Sequence, residues 1–187
     1  MITKRAWHSA GAAVLPLLIA TSLAADGRDR GSEKHEARLG GYQEVPAQSS
    51  EGTASFKVRI ADDEQSFHWV LTYSGFTNVV TQAHIHFGQL SVNGGIVVFL
   101  CTNLGNAPPA PANPTAACTQ GEGIVSGTAT AADVTAGAAA QGINAGEFAK
   151  VLDAIRAGVA YANIHTVPHP GGEIRGQIQP HDHGHDD

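Results

Sequence analysis

Thiols are scarce in this chain of 187 residues: Cys101 and Cys118 are its only cysteines. They bracket a loop rich in Pro, Asn and Ala, and in an oxidising compartment their default state is a disulfide closing that loop, for which loop-closure entropy gives roughly 3 kcal/mol. Two sulfurs held in a structural bond leave no thiolate for a metal, so any metal site must be built on histidine. Basic charge is also short, with eleven Lys plus Arg against seventeen Asp plus Glu and a net charge of −6. That balance argues against nucleic acid as a partner. Long apolar runs are missing too, apart from Ala10 to Ala20, which is shorter than the roughly 20 residues of a spanning helix. No internal repeat is visible.

The apolar run is preceded by Lys4 and Arg5 and followed by small residues, Ser22-Leu-Ala-Ala25. This is the pattern of a secretory signal peptide, residues 1–24, cut near Ala24. Its loss takes away two of the eleven basic residues and none of the acidic ones. The expectation is a secreted or periplasmic protein without a membrane span. Residues 25–37 are polar and mixed in charge, and read as a flexible lead-in that includes His35. Residues 38–180 then form one domain, and 181–187, His-Asp-His-Gly-His-Asp-Asp, a disordered tail able to bind transition metals loosely.

Within the domain the apolar pattern is that of strands. Thr53 to Ile60 alternates Phe56, Val58 and Ile60 with polar residues, Asp62 to Gln65 reads as a turn, and Phe67, Trp69, Leu71 and Tyr73 share a face of the next strand. These two make a hairpin. Val79 to His86, Ile96 to Leu100, Gly123 to Thr130, Val159 to His165 and Glu173 to Ile178 are further strands. Asn144-Ala-Gly-Glu147 has the form of an N-cap with an acid three residues on. Phe148, Val151, Leu152 and Ile155 follow at helical spacing until Gly158. The predicted fold is all-β: an antiparallel, Greek-key-like sandwich or flattened barrel, with one short helix before the last two strands.

The chemistry sits in Ala83-His-Ile-His86. On a strand, one residue between two histidines points both imidazoles the same way. Val159-Ala-Tyr-Ala-Asn-Ile-His165 ends in a third, and His169 follows between Pro168 and Pro170. If the two strands meet, His84, His86 and His165 converge, with His169 as a candidate fourth ligand. Imidazole donors without thiolate favour copper, with zinc next. Tyr161 and Asn163 lie on the strand face of His165 and are candidates to orient it. Glu173 and Arg175 read as an ion pair at the start of the last strand. His68 is expected at the surface.

Gly41-Tyr-Gln-Glu-Val-Pro46, Ala83-His-Ile-His86, Gly127-Thr-Ala-Thr-Ala-Ala-Asp133, Asn163-Ile-His-Thr166 and His169-Pro-Gly-Gly-Glu-Ile-Arg-Gly-Gln177, in this order, resemble the CHRD domain, named after chordin. The resemblance spans about residues 38 to 180 and implies an extracytoplasmic β-sandwich. More distantly, Ala83-His-Ile-His-Phe-Gly88 and Asn163-Ile-His165 are similar to the copper-binding half of copper-zinc superoxide dismutases. That likeness implies His84, His86 and His165 as copper ligands. No histidine stands between Phe87 and Cys118, so the bridging and zinc ligands of that pattern are missing, and Arg175 matches its active-site arginine only loosely. Three functional expectations follow. The first is a copper-binding protein for sequestration, storage or delivery, and it is preferred; the others are a copper-only dismutase-like enzyme and a metal-free module that binds a protein partner outside the cytoplasm, with a homodimer possible.

Overall fold

The computed structural model describes residues 32–108 and 114–181. The signal peptide expected over 1–24, the lead-in up to residue 31 and the tail beyond His181 lie outside the described residues. Nine strands carry the fold: β1 (Lys34–Gly40), β2 (Thr53–Ile60), β3 (Ser66–Ser74), β4 (Val80–Phe87), β5 (Gly95–Thr102), β6 (Gly123–Thr130), β7 (Ala160–Thr166), β8 (Ile174–Gln177) and β9 (Gln179–Pro180). The single α-helix among the described residues, α1 (Phe148–Arg156), precedes the last three. No helix among the described residues is long and apolar enough to cross a membrane.

All the strand pairs are antiparallel, in the order β5-β4-β7-β8-β1-β2-β3-β6, with β9 added to β1. The sheet curls until its edge strands β5 and β6 approach each other, a nearly closed barrel around one core. Period-two alternation decides which side chains enter that core. From β2 come Phe56, Val58 and Ile60, and from β3 Phe67, Trp69, Leu71 and Tyr73, all buried. On β7 it is Ala162 and Ile164 that face inward, which turns Tyr161, Asn163 and His165 to the outer face.

α1 lays Phe148, Val151, Leu152 and Ile155 against the core, Phe148 stacking on Phe67 with ring centroids 5.5 Å apart. It begins one turn later than the sequence pattern suggests. The Glu147 carboxylate accepts from the Asn144 backbone N–H at 2.7 Å, closing a turn before the helix, and Lys150 Nζ holds the same carboxylate. The helix ends where expected, at Gly158, whose φ of +66° is costly for a residue with a Cβ.

The first strand corrects the sequence reading. Regular structure starts at Lys34, not near Leu39, and His35 is buried, 3% exposed, rather than part of a flexible lead-in. β1 alternates inward His35, Ala37 and Leu39 with outward Lys34, Glu36 and Arg38. An alternation whose apolar phase rests on alanine and histidine is too weak to stand out. Its place in the sheet comes from seven register pairs with β2 and from β9 on its other side.

Cys101 and Cys118 are disulfide-bonded across a sequence separation of 17. Replacing both by alanine is expected to lower unfolding free energy by about 3 kcal/mol, the loop-closure value for this span. Urea denaturation of the two proteins measures it, and an unchanged midpoint would show that the segment is held without the bond.

Candidate metal centre

His84 and His86 leave β4 on the outer face, and β7 lies beside them with His84 opposite Asn163, His86 opposite Tyr161 and Gln82 opposite His165. Register shifts in the β4–β5 ladder fall between Ala83 and His84 and between Ile85 and His86. Each leaves one extra residue on β5, Leu100 and Val97, and both are buried in the core. Such bulges re-aim the side chains around them. The outer face would meet solvent here, yet His84 is fully buried and His86 and His165 are 8% and 5% exposed. Loops roof it: residues 88–94 over His86, and the turn 167–173 beside His165.

One ligand nitrogen from each of the three imidazoles lies within 4.8 Å of the others. The roof decides which nitrogens are free. His86 Nδ1 bonds to Gly94 O and His165 Nδ1 to Pro170 O, each at 2.9 Å. A carbonyl only accepts, so both Nδ1 atoms carry the proton and both Nε2 atoms hold a lone pair. His84 Nδ1 stands 3.1 Å from His165 Nε2. Donating to that lone pair leaves His84 Nε2 as a second buried acceptor without a donor, and His86 Nε2 likewise has none. Buried polar atoms are seldom left so.

Packing fixes the rings. Tyr161 stacks on His86, centroids 4.7 Å apart and planes 5° from parallel, and the Arg175 guanidinium carbon sits 3.7 Å from the centre of the Tyr161 ring. Arg175 is itself buried and donates to Asn93 Oδ1 at 3.0 Å and Val92 O at 2.9 Å, tying the roof to the sheet. Phe99 of β5 presents an edge-on contact to His84 at 4.4 Å.

Several expected roles move. His169 is not among the converging imidazoles; its backbone closes the turn with Thr166 and Gly172, and that turn delivers the Pro170 carbonyl to His165. Tyr161 supports His86 rather than His165. Asn163 donates to the Glu44 carboxylate and to Ile174 O at 3.2 Å, and touches no histidine nitrogen. Glu173 and Arg175 do not form the expected ion pair. Glu173 accepts from Ser50 Oγ at 2.7 Å and from Thr166 Oγ1, while Arg175 turns to Tyr161 and the roof. His68 is exposed, as expected.

Sequence reasoning missed Glu44, which is 6% exposed and whose carboxyl burial pushes up to about 7, against the pull of the Val45 N–H, Arg175 and Asn163. Gly172 makes room for it: at φ +130°, a Cβ there would come within 2.6 Å of both Glu44 Oε1 and Asn163 Nδ2. Glu44 lies inside the Gly41–Pro46 motif, the one signal that could have drawn attention to it. The Gly94 and Pro170 carbonyls have no side-chain signature at all.

Compared with known proteins, residues 35–178 match the family model of the CHRD domain. No curated protein and no solved structure matches the chain.

Burial holds all three histidines below their ordinary pKa: His84 furthest, with His165 and His86 adding to the shift, His86 down to about 4 despite the Gly94 carbonyl, and His165 despite Pro170. The folded protein therefore binds fewer protons than the unfolded chain below about pH 6.5. Stability is fully present above that pH and falls on acidification, by about 1.4 kcal/mol per pH unit for each histidine still neutral only in the folded state. Glu44 has the opposite sign but contributes a single proton. Thermal melts of the metal-free protein between pH 7.5 and pH 5 should show a steadily falling midpoint, and a flat profile would contradict neutral burial of the cluster.

Proposed function

This chain belongs to the CHRD domain family, and we propose that it is an extracytoplasmic copper-binding protein that holds the ion on His84, His86 and His165 for sequestration, storage or delivery. The observation that carries this reading is the pair of buried lone pairs without donors, next to a third imidazole whose Nδ1 is already occupied. An ion bound through one nitrogen of each ring gives those electrons a partner. It does so without a proton having to be removed from any histidinium, because burial keeps the rings neutral.

Copper is favoured over zinc by the donor set. The cluster contains neither thiolate nor carboxylate, both cysteines being in the disulfide. A buried ion with only neutral ligands keeps its full charge, and the cost of burying charge rises steeply with its magnitude. That favours monovalent copper, an ion suited to imidazole donors. Placement outside the cytoplasm is supported by the leader-like residues 1–24 and by the disulfide. Arg175 supports binding over turnover: a dismutase-like enzyme needs a cation at the mouth to guide superoxide, and this guanidinium is locked under the roof at 2% exposure.

The test uses the full chain with His183→Ala and His185→Ala, which removes loose binding by the tail. After exposure to copper and zinc together and exhaustive dialysis, mass spectrometry is expected to find one copper per chain. Adding His86→Gln and His165→Gln should abolish retention while circular dichroism stays β-rich. Zinc in place of copper, or copper kept by the quadruple variant, would defeat the assignment.

A further inference from the structure

On the outer face of β1, β2 and β3, beyond the roofed histidines, the sheet is open. Cross-strand register sets the side chains out in rows: Lys34, Arg59 and His68; Glu36, Lys57 and Val70; Arg38, Ser55 and Thr72; and then Thr53 with Ser74. Two grooves run along these rows. One, of about 340 Å³, is lined by Lys34, Lys57, Arg59 and His68, and the other, of about 780 Å³, by Arg38, Thr53, Ser55, Thr72 and Ser74. They adjoin, because Arg38, Ser55 and Thr72 are each two residues along the strand from Glu36, Lys57 and Val70.

The cations here differ from the others in the described residues. Lys150 pairs with Glu147, Arg156 with Glu33 and Glu64, and Arg175 is buried against Tyr161. Lys34, Arg38, Lys57 and Arg59 are exposed and form no ion pair among the described residues. Of the acids here, Glu36 lies between them and is engaged by His181 at 3.1 Å, and Glu122 adds one carboxylate to the lining of the larger groove. In a protein of net charge −6, the unpaired positive charge of the described residues is thus gathered on one grooved face.

We propose that this face docks a linear acidic polysaccharide. Neighbouring strands stand about 4.8 Å apart and alternate residues about 6.8 Å apart, which spaces the cations like the ionised groups of a chain charged once per sugar. The hydroxyls of Thr53, Ser55, Thr72 and Ser74 continue the groove with partners suited to sugar hydroxyls. No tyrosine, tryptophan or phenylalanine ring stands exposed in these rows to stack nucleobases, His68 being the one ring there, which sets the face apart from the aromatic platform of a single-stranded nucleic acid site.

Titration calorimetry of the full chain with polygalacturonate at about 50 mM salt, where the Debye length still exceeds the spacing of the cations, tests the assignment. Binding is expected, and a Lys57→Glu, Arg59→Glu variant with unchanged melting should bind at least tenfold more weakly. A Lys34→Gln, Arg38→Gln variant should weaken it in the same direction, while Lys150→Glu on the helix leaves it unchanged. Failure to bind, equal binding by the charge-reversed protein, or equal or tighter binding of single-stranded DNA or phosphatidylglycerol vesicles would overturn the proposal.

Discussion

Three neutral imidazoles buried on the outside of a barrel are the constraint around which this structure is arranged. A curled sheet has its apolar face satisfied by the core, and its outer face normally stays wet. Here the β4–β7 portion of that face is dry, and each feature around it answers the cost of taking histidine out of water. The Pro170 and Gly94 carbonyls each take one N–H. The Tyr161 ring covers His86, and Arg175 covers Tyr161 while clamping the 88–94 loop through Val92 and Asn93. Glu44 and Asn163 fill the neighbouring position, made possible by a glycine at 172.

The fold was legible where alternation was strong and apolar. Phe56, Val58 and Ile60 against Phe67, Trp69, Leu71 and Tyr73 mark a hairpin that needs no tertiary information, and the helix shows itself through Phe148, Val151, Leu152 and Ile155. β1 did not stand out, because its inward side chains include His35 and Ala37, and β9 is two residues long. The three histidines could be placed on strand faces from spacing alone. Their partners could not, since the Gly94 and Pro170 carbonyls reach them only through topology, as Glu44 reaches Asn163 from more than a hundred residues away. His169 misleads because closeness of backbone to His165 is not convergence of rings: the turn that carries it uses its backbone, and the carbonyl that matters belongs to the next residue.

The two halves of the outer face form one continuous surface treated in opposite ways. Register runs from His84 through Asn163, Arg175 and Gly40 to Thr53 and Ser74. On one half the imidazoles are neutral and the guanidinium of Arg175 is buried against Tyr161 and the 88–94 loop. On the other the cations are left without counter-ions. Roofing loops account for the division, since the segments at 41–50, 88–94 and 167–173 all reach the first half.

The disulfide has a role that its loop-closing contribution does not describe. β5 is an edge strand, and an uncovered edge invites another chain to extend the sheet. Residues 115–118 run along it: Ala116 forms a parallel bridge with Cys101, and its carbonyl receives the Thr102 N–H at 2.9 Å. Cys118 anchors that strip. The bond therefore ties down the strip that covers the Cys101–Thr102 end of this edge, while Thr135 covers its other end by donating its N–H to Val97 O at 2.9 Å.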